Sequence, residues 1–423
     1  MKRLVLYLFV IFISTAAIAQ NNQPNAVDEL HKLLSKTRSF KAQIKGDKKK
    51  DYNFLVTKLK AEYASASTDW QRFQILSQLF HPIRDNHLNF YSNVNSVLQL
   101  VDFDKPEIVK AYRASRLFQE HPRVKENLDS LEVQLNGRTL ADVEGVYYHT
   151  DSLKIGIFRT ARRDSIVGVV LDTKLLNWDV GQIFCQLTEF APNKFRAIYF
   201  HPTYKNMTIV KTEKYIDGRL TEGMFYGSLT TLPLSKKLTT IDFSNIPRTE
   251  PLFILKPLDE NTSYLRLGNF NASDRSLAES NIFYQKIKDS LTTRNLIVDL
   301  RNNGGGGFKN SKKFLKMLQK FDGKIYLLLN NRTFSNAEQF AIELAKEKNV
   351  VTLGEATNGT LTYGSNYGKH TPIENGRYRV YLTDMKDSGN YLPYEQSGFT
   401  PEIILSKNFD WIQQVSGIIL NNK

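Results

Sequence analysis

The chain has 423 residues, enough for two or three domains with full-sized cores. Its formal net charge of +14 is dispersed apart from Lys48-Lys49-Lys50. With no nucleic-acid motif beside it, that excess describes a solvated surface rather than a nucleic-acid face. The single cysteine, Cys185, excludes an internal disulfide and sits in an apolar strand pattern, as a small core residue would.

Taken in order, residues 1–19 have the pattern of a secretory signal peptide. Lys2 and Arg3 precede an apolar run from Leu4 to Ile13, and Ala17-Ile18-Ala19 forms a cleavage site before Gln20. The run is short for a membrane span, so no transmembrane anchor is expected after cleavage. The chain is then exported, to a periplasm or the exterior.

Residues 20–140 are expected to form a mainly helical domain. Val27, Leu30, Leu33 and Leu34 repeat at helical spacing, as do Phe54, Leu55, Leu59 and Tyr63. Asp69 is the expected cap of a helix carrying Trp70, Phe73, Leu76 and Phe80, which should stop near Pro82. His87 then falls on a turn before a strand marked by Leu88 and Phe90. A further helical stretch is expected from Pro106 to Gln119.

In residues 141–245 the period changes to two. SLKIGIF, SIVGVVLD, GQIFCQLTEF, KFRAIYF and MTIVKTEKY predict successive strands of an all-β insert, a small barrel or a sandwich. Residues 246–423 alternate strand and helix. Strands are predicted at Ser263–Leu267, Leu296–Leu300, Ile325–Leu329 and Val350–Leu353. The helices between them are at Leu277–Leu291, Phe308–Phe321 and Ser335–Lys348, with a last one near Asp410–Leu420. Such alternation predicts an α/β layer with a largely parallel sheet. The fold class is therefore α/β and multidomain.

Chemistry concentrates in that last region. Four glycines, Gly304 to Gly307, follow a strand directly, and such a turn lets backbone N–H groups approach a ligand. Ser335 lies on the next strand-to-helix turn. Its plainest role there is a helix cap. A serine so placed, one βα unit from a set of backbone donors, is also the arrangement acyl transfer needs. No G-K-[ST] follows the glycines, which excludes a P-loop, and no HExxH spacing points to a metal. No cofactor is expected. Glu338 reads as a first-turn helix carboxylate, and Asp299 with Arg301 as a brace for the glycine loop.

DLRNNGGG followed by TFSNAEQF resembles the C-terminal-processing (tail-specific) serine peptidase family, which includes the tricorn protease core. The resemblance covers about Thr262 to Pro401 and a short patch near His87. It implies a crotonase-like α/β catalytic core acting on peptide or protein substrates. Ser335 is then the nucleophile, with the N–H groups of Gly304 or Gly305 and of Asn336 as oxyanion donors. The PDZ pattern that many such peptidases carry is missing from the β region. Thr360 stands where the processing branch has its lysine base, and threonine cannot act as a base at neutral pH. The tricorn-like branch implies another route. IRDNHLNF places His87 as base, with Asn86 as an auxiliary polar residue, and YEQSGFTPE places Glu395 as the acid that orients it, in preference to Glu355. Two other readings stay open, a silent peptide-binding protein on the same fold and an esterase.

Overall fold

The computed structural model describes residues 25–93, 103–162, 164–223, 233–236, 242–364, 368–387 and 390–421. The expected signal peptide lies outside them. Among the described residues no helix is long and apolar enough to cross a membrane.

The N-terminal third is helical for local reasons. Helix Ala26–Leu34 starts where the Asn25 side chain accepts from Val27 N–H, and it buries Val27, Leu30 and Leu34. Helix Asp69–Ser77 opens with a capping box between Thr68 and Gln71, so the cap is one residue earlier than Asp69. A 3-10 turn, Gln78–Phe80, ends it before Pro82. The predicted helix from Pro106 to Gln119 is broken at Ser115, which ends Pro106–Ala114 and caps Arg116–Gln119.

Strand β1, Asn89–Ser92, follows the His87 turn. The β region then supplies β2 (Gly145–Thr150), β3 (Leu153–Arg159), β4 (Ser165–Thr173), β5 (Ile183–Ala191), β6 (Lys194–Phe200), β7 (Met207–Ile216), β8 (Arg219–Leu220) and β9 (Leu234–Ser235). Strands β2 to β9 form a closed antiparallel barrel, because β7 pairs with both β6 and β8. The expected insert is not self-contained. β1 pairs with β7 and with β16 (Tyr378–Tyr381), which pairs in turn with β15 (His370–Ile373). Strands from both sides of the barrel sequence thus continue its sheet. They cover backbone groups that an open edge of β7 would leave unpaired. The helices share this core. Val27, Phe73 and Leu76 join one buried cluster with Ile155, Trp178 and Phe195, and the Phe73 and Phe90 rings stack at 4.6 Å.

The second sheet runs β10 (Phe253–Pro257), β11 (Thr262–Leu267), β12 (Asn295–Asp299), β13 (Lys324–Leu329), β14 (Val350–Gly354) and β17 (Ile403–Ile404). It is parallel except for β10. β10 escapes the sequence pattern because it is a partly exposed edge carrying Lys256 and Pro257. Alternation on β12 builds both faces. Leu296 and Val298 pack with Phe314 and Phe340 of helices Phe308–Leu318 and Asn336–Leu344. Ile297 packs with Trp411 of helix Trp411–Asn421 on the other face. The C-terminal ends of β12, β13 and β14 therefore deliver the glycine loop, the Ser335 turn and the loop after Gly354 to one edge of the sheet, where open α/β sheets bind ligands.

Asp299 closes β12 and is fully buried. Its carboxylate accepts from Arg301 Nε at 3.0 Å, Arg301 Nη2 at 2.6 Å and Tyr264 Oη at 2.9 Å, and Arg301 Nη1 reaches Phe243 O at 2.7 Å. The pair braces the root of the glycine loop. Breaking one partner of such a pair strands a buried charge, so Arg301→Met should cost about 3–5 kcal/mol. Urea denaturation should show a lower midpoint at unchanged slope. A smaller loss in the Asp299→Leu, Arg301→Leu double variant is expected. An unchanged midpoint in Arg301→Met would contradict the account.

Candidate active site

Ser335 occupies the turn between β13 and helix Asn336–Leu344 with φ 60° and ψ −128°. That region is nearly reserved for glycine and costs on the order of 1–3 kcal/mol, so the surrounding contacts must impose it. They do so through the backbone. Ser335 N–H donates to Thr360 O at 2.8 Å and to Glu338 Oε2 at 3.1 Å. The side chain is left free to turn outward, and its Oγ lies 3.1 Å from His87 Nε2.

His87 arrives from 248 positions away, on the turn that enters β1. Its other ring nitrogen, Nδ1, lies 2.8 Å from Thr362 O. A carbonyl only accepts, so the neutral tautomer that fits carries its proton on Nδ1 and turns the lone pair of Nε2 to Ser335. This corrects the expectation for Glu395. The partner of Nδ1 is the Thr362 carbonyl, and Glu395 binds the backbone on either side of that contact instead. Oε1 accepts from Asn86 N–H at 2.5 Å, and Oε2 accepts from Leu361 N–H, Thr362 N–H and Thr362 Oγ1 at 3.1, 3.0 and 2.9 Å. Fully buried Glu395 thus joins the His87 turn to the strand of chain whose carbonyl His87 uses. Burial, and then the neighbouring Asp85, raise its pKa, while nearby His87 opposes that rise. Arg84 Nη2 fastens the same corner by donating to Leu392 O and Glu395 O at 2.8 and 2.9 Å.

Asn86 is a cross-link. Its Nδ2 donates to Gly359 O at 3.0 Å, and its Oδ1 accepts from Thr212 Oγ1 at 3.1 Å. Thr360 offers no base: its Oγ1 donates to Asn358 Oδ1 at 2.5 Å. Glu355 lies elsewhere, accepting from Asn331 N–H at 3.1 Å.

The glycine loop sits against the serine. Gly305 has φ +77°, and a Cβ there would come within 2.8 Å of Asn336 N and of Ser335 Cβ. Only glycine lets the two loops meet this closely. Gly305 N–H donates to Asn303 Oδ1 at 2.9 Å, so of the two expected glycine donors Gly304 is the uncommitted one. Among the described residues the N–H groups of Gly304 and Asn336 have no hydrogen-bond partner. Uncommitted backbone N–H groups of this kind can stabilise a tetrahedral oxyanion. The described residues hold no group of three or more potential metal ligands.

Two contributors, Thr362 and Lys214, escaped sequence reasoning, and Glu338 was read there only as a first-turn charge. Thr362 acts through its main chain, which has no sequence signature. Glu338 is more than a helix-end charge. Its carboxylate gathers Thr357 Oγ1 (2.5 Å), Gly359 N–H (2.7 Å), Thr360 N–H (2.9 Å) and Ser335 N–H, and its spacing three residues after Ser335 was the available signal. Lys214 on β7, buried, donates to Asn358 O at 2.6 Å and Thr357 O at 3.0 Å, tying the barrel to the loop beneath the serine.

Burial pushes the Glu338 carboxyl up to about 7, against the pull of its donors. The folded chain then holds this proton more tightly than the unfolded chain. The stability that results is complete below the ordinary glutamate range and is lost as pH rises through about 7. From about pH 5 to about pH 8 the parent should lose about 2–3 kcal/mol more unfolding free energy than Glu338→Gln. Urea titrations at the two pH values test this, and equal slopes would contradict it.

No protein-family model and no curated protein matches this sequence. Solved structures do resemble it. A putative peptidase from Parabacteroides merdae ATCC 43184 is 14% identical, with a TM-score of 0.35, covering 94% of this chain and 96% of its own. The photosystem II D1 C-terminal processing protease is 14% identical, with a TM-score of 0.34, covering 90% and 92%. The tricorn protease is 12% identical, with a TM-score of 0.42, covering 94% of this chain and 36% of its own. These likenesses assign no activity; that question rests on the geometry of Ser335 and its neighbours.

Proposed function

We propose that this chain is an exported serine peptidase of the C-terminal-processing kind, nearest in site pattern to the tricorn-like branch. The observation that carries the proposal is the 3.1 Å approach of Ser335 Oγ to His87 Nε2. In this reading residues 246–423, a crotonase-like core, bring the nucleophile, and residues 20–140 bring the base. Export follows cleavage after Ala19.

Serine is a poor nucleophile until a base removes its proton. As Oγ attacks the scissile carbonyl carbon, His87 Nε2 takes that proton. The carbonyl oxygen becomes an oxyanion held by the N–H groups of Gly304 and Asn336. The C–N bond breaks, His87 returns the proton to the departing amine, and an acyl-enzyme remains on Ser335. Water then loses a proton to His87 and attacks the ester, releasing a carboxylic acid and the free serine. Thr362 O keeps the imidazole in the tautomer this cycle requires. Glu395 is a positioning residue that also offsets the imidazolium charge from nearby.

A fluorophosphonate probe should label the parent protein at Ser335, and Ser335→Ala should not be labelled. His87→Ala should lower peptide turnover by roughly 10⁴-fold. Glu395→Gln should lower it less, and chiefly in kcat, since it acts through His87. Hydrolysis of a nitrophenyl ester with peptides left intact would favour an esterase. Labelling of Ser335→Ala as strong as the parent would overturn the assignment, and an unlabelled parent would favour a silent peptide-binding protein.

A further inference from the structure

Away from Ser335, a hollow of about 500 Å³ opens between helix Asp69–Ser77 and the barrel wall formed by β5, β6 and β7. Its size is that of a small-molecule site. Neither Ser335 nor His87 lines it.

The lining is unbalanced in charge. Arg162, Arg196 and Lys211 contribute three cations, and Glu62 is the one acid among the lining residues. Glu62 is partly exposed and lies 3.6 Å from Lys58. Lys211 is 5% exposed and is held by the carbonyls of Ile83 and Asp85. Arg196 is held by the carbonyls of Lys211 and His81 and stacks 4.0 Å from the Phe190 ring. The buried carboxyl groups of Asp85 and Glu395 both act on Lys211, and Asp85 also accepts from Thr383 Oγ1. Burial draws Arg196 down to about 10, with no carboxylate acting on it among the described residues. Burial lowers Lys211 to about 8, so both groups are mainly charged at neutral pH. His81, driven to about 3 by burial and by these two cations, stays neutral and adds no further charge. Side-chain amides of Gln74, Gln78 and Gln186 supply further donors, while Ile75, Ile198 and Ile209 form apolar wall.

Carbonyl partners satisfy hydrogen bonds but do not neutralise the buried charge of Arg196. An oxyanion would do both, and the space left over exceeds an inorganic ion. We propose that this hollow binds a small organic anion, its carboxylate or phosphate head against Arg196 and Lys211 and its apolar body along Ile75, Ile198 and Ile209. The site is independent of the peptidase assignment.

Calorimetric titration of the protein with N-acetylleucine and with isobutyl phosphate tests this, with N-acetylleucinamide as the uncharged control. At least one of the two anions should saturate, and which one does identifies the head group. The amide should bind at least roughly tenfold more weakly, as loss of a charge-assisted contact implies. Arg196→Gln should weaken the anion by a similar factor. Arg162→Glu, at an exposed position where folding is not at stake, should weaken it and flatten its salt dependence. Saturation by neither anion, amide binding equal to the carboxylate, or full anion affinity in both arginine variants would overturn the proposal.

Discussion

The contact between His87 Nδ1 and Thr362 O governs what this site can do. Because the carbonyl has no proton to give, the ring must donate there and present a lone pair at Nε2. Ser335 Oγ is at that lone pair. A carboxylate is still part of the arrangement, but one bond removed. Glu395 fixes the N–H groups of Leu361 and Thr362 on one side and of Asn86 on the other. Imidazole and carbonyl are thus registered by the same buried anion, whose charge also acts on the ring.

That register depends on parts of the chain far apart in sequence. The serine stands on a parallel-sheet layer and the histidine on the turn entering a strand of the other sheet. The barrel adds Lys214 and Thr212 as ties to the loop and the histidine turn. Glu338 holds that loop to the serine from below. Two cores therefore have to form before the site exists, and neither alone contains both reacting groups.

Much of the element order was legible because its causes are local. Period-two runs mark the barrel strands, and doubly buried runs such as NLIVD mark the central parallel strands. Edges were harder. β10 is half-exposed and ends in proline, and the pairing of β1 with β16 joins segments almost 300 positions apart, which no local pattern encodes. At the site, Ser335 and the glycine run stand out by placement, whereas His87 and Glu395 were named only through a family resemblance. The role of Thr362 O and the commitment of Gly305 N–H are main-chain facts, invisible in side-chain identity. Lys214 looked like one strand residue among many until the fold brought loop carbonyls to it.

The tautomer of His87 is the most direct test of this account. Nitrogen-15 NMR of histidine-labelled protein, with His87 assigned by comparison with His87→Ala, reports which ring nitrogen is protonated in the neutral form. The account predicts a protonated Nδ1 and an unprotonated Nε2. A neutral His87 with its proton on Nε2 would mean that Ser335 faces a donor, and it would contradict the central claim.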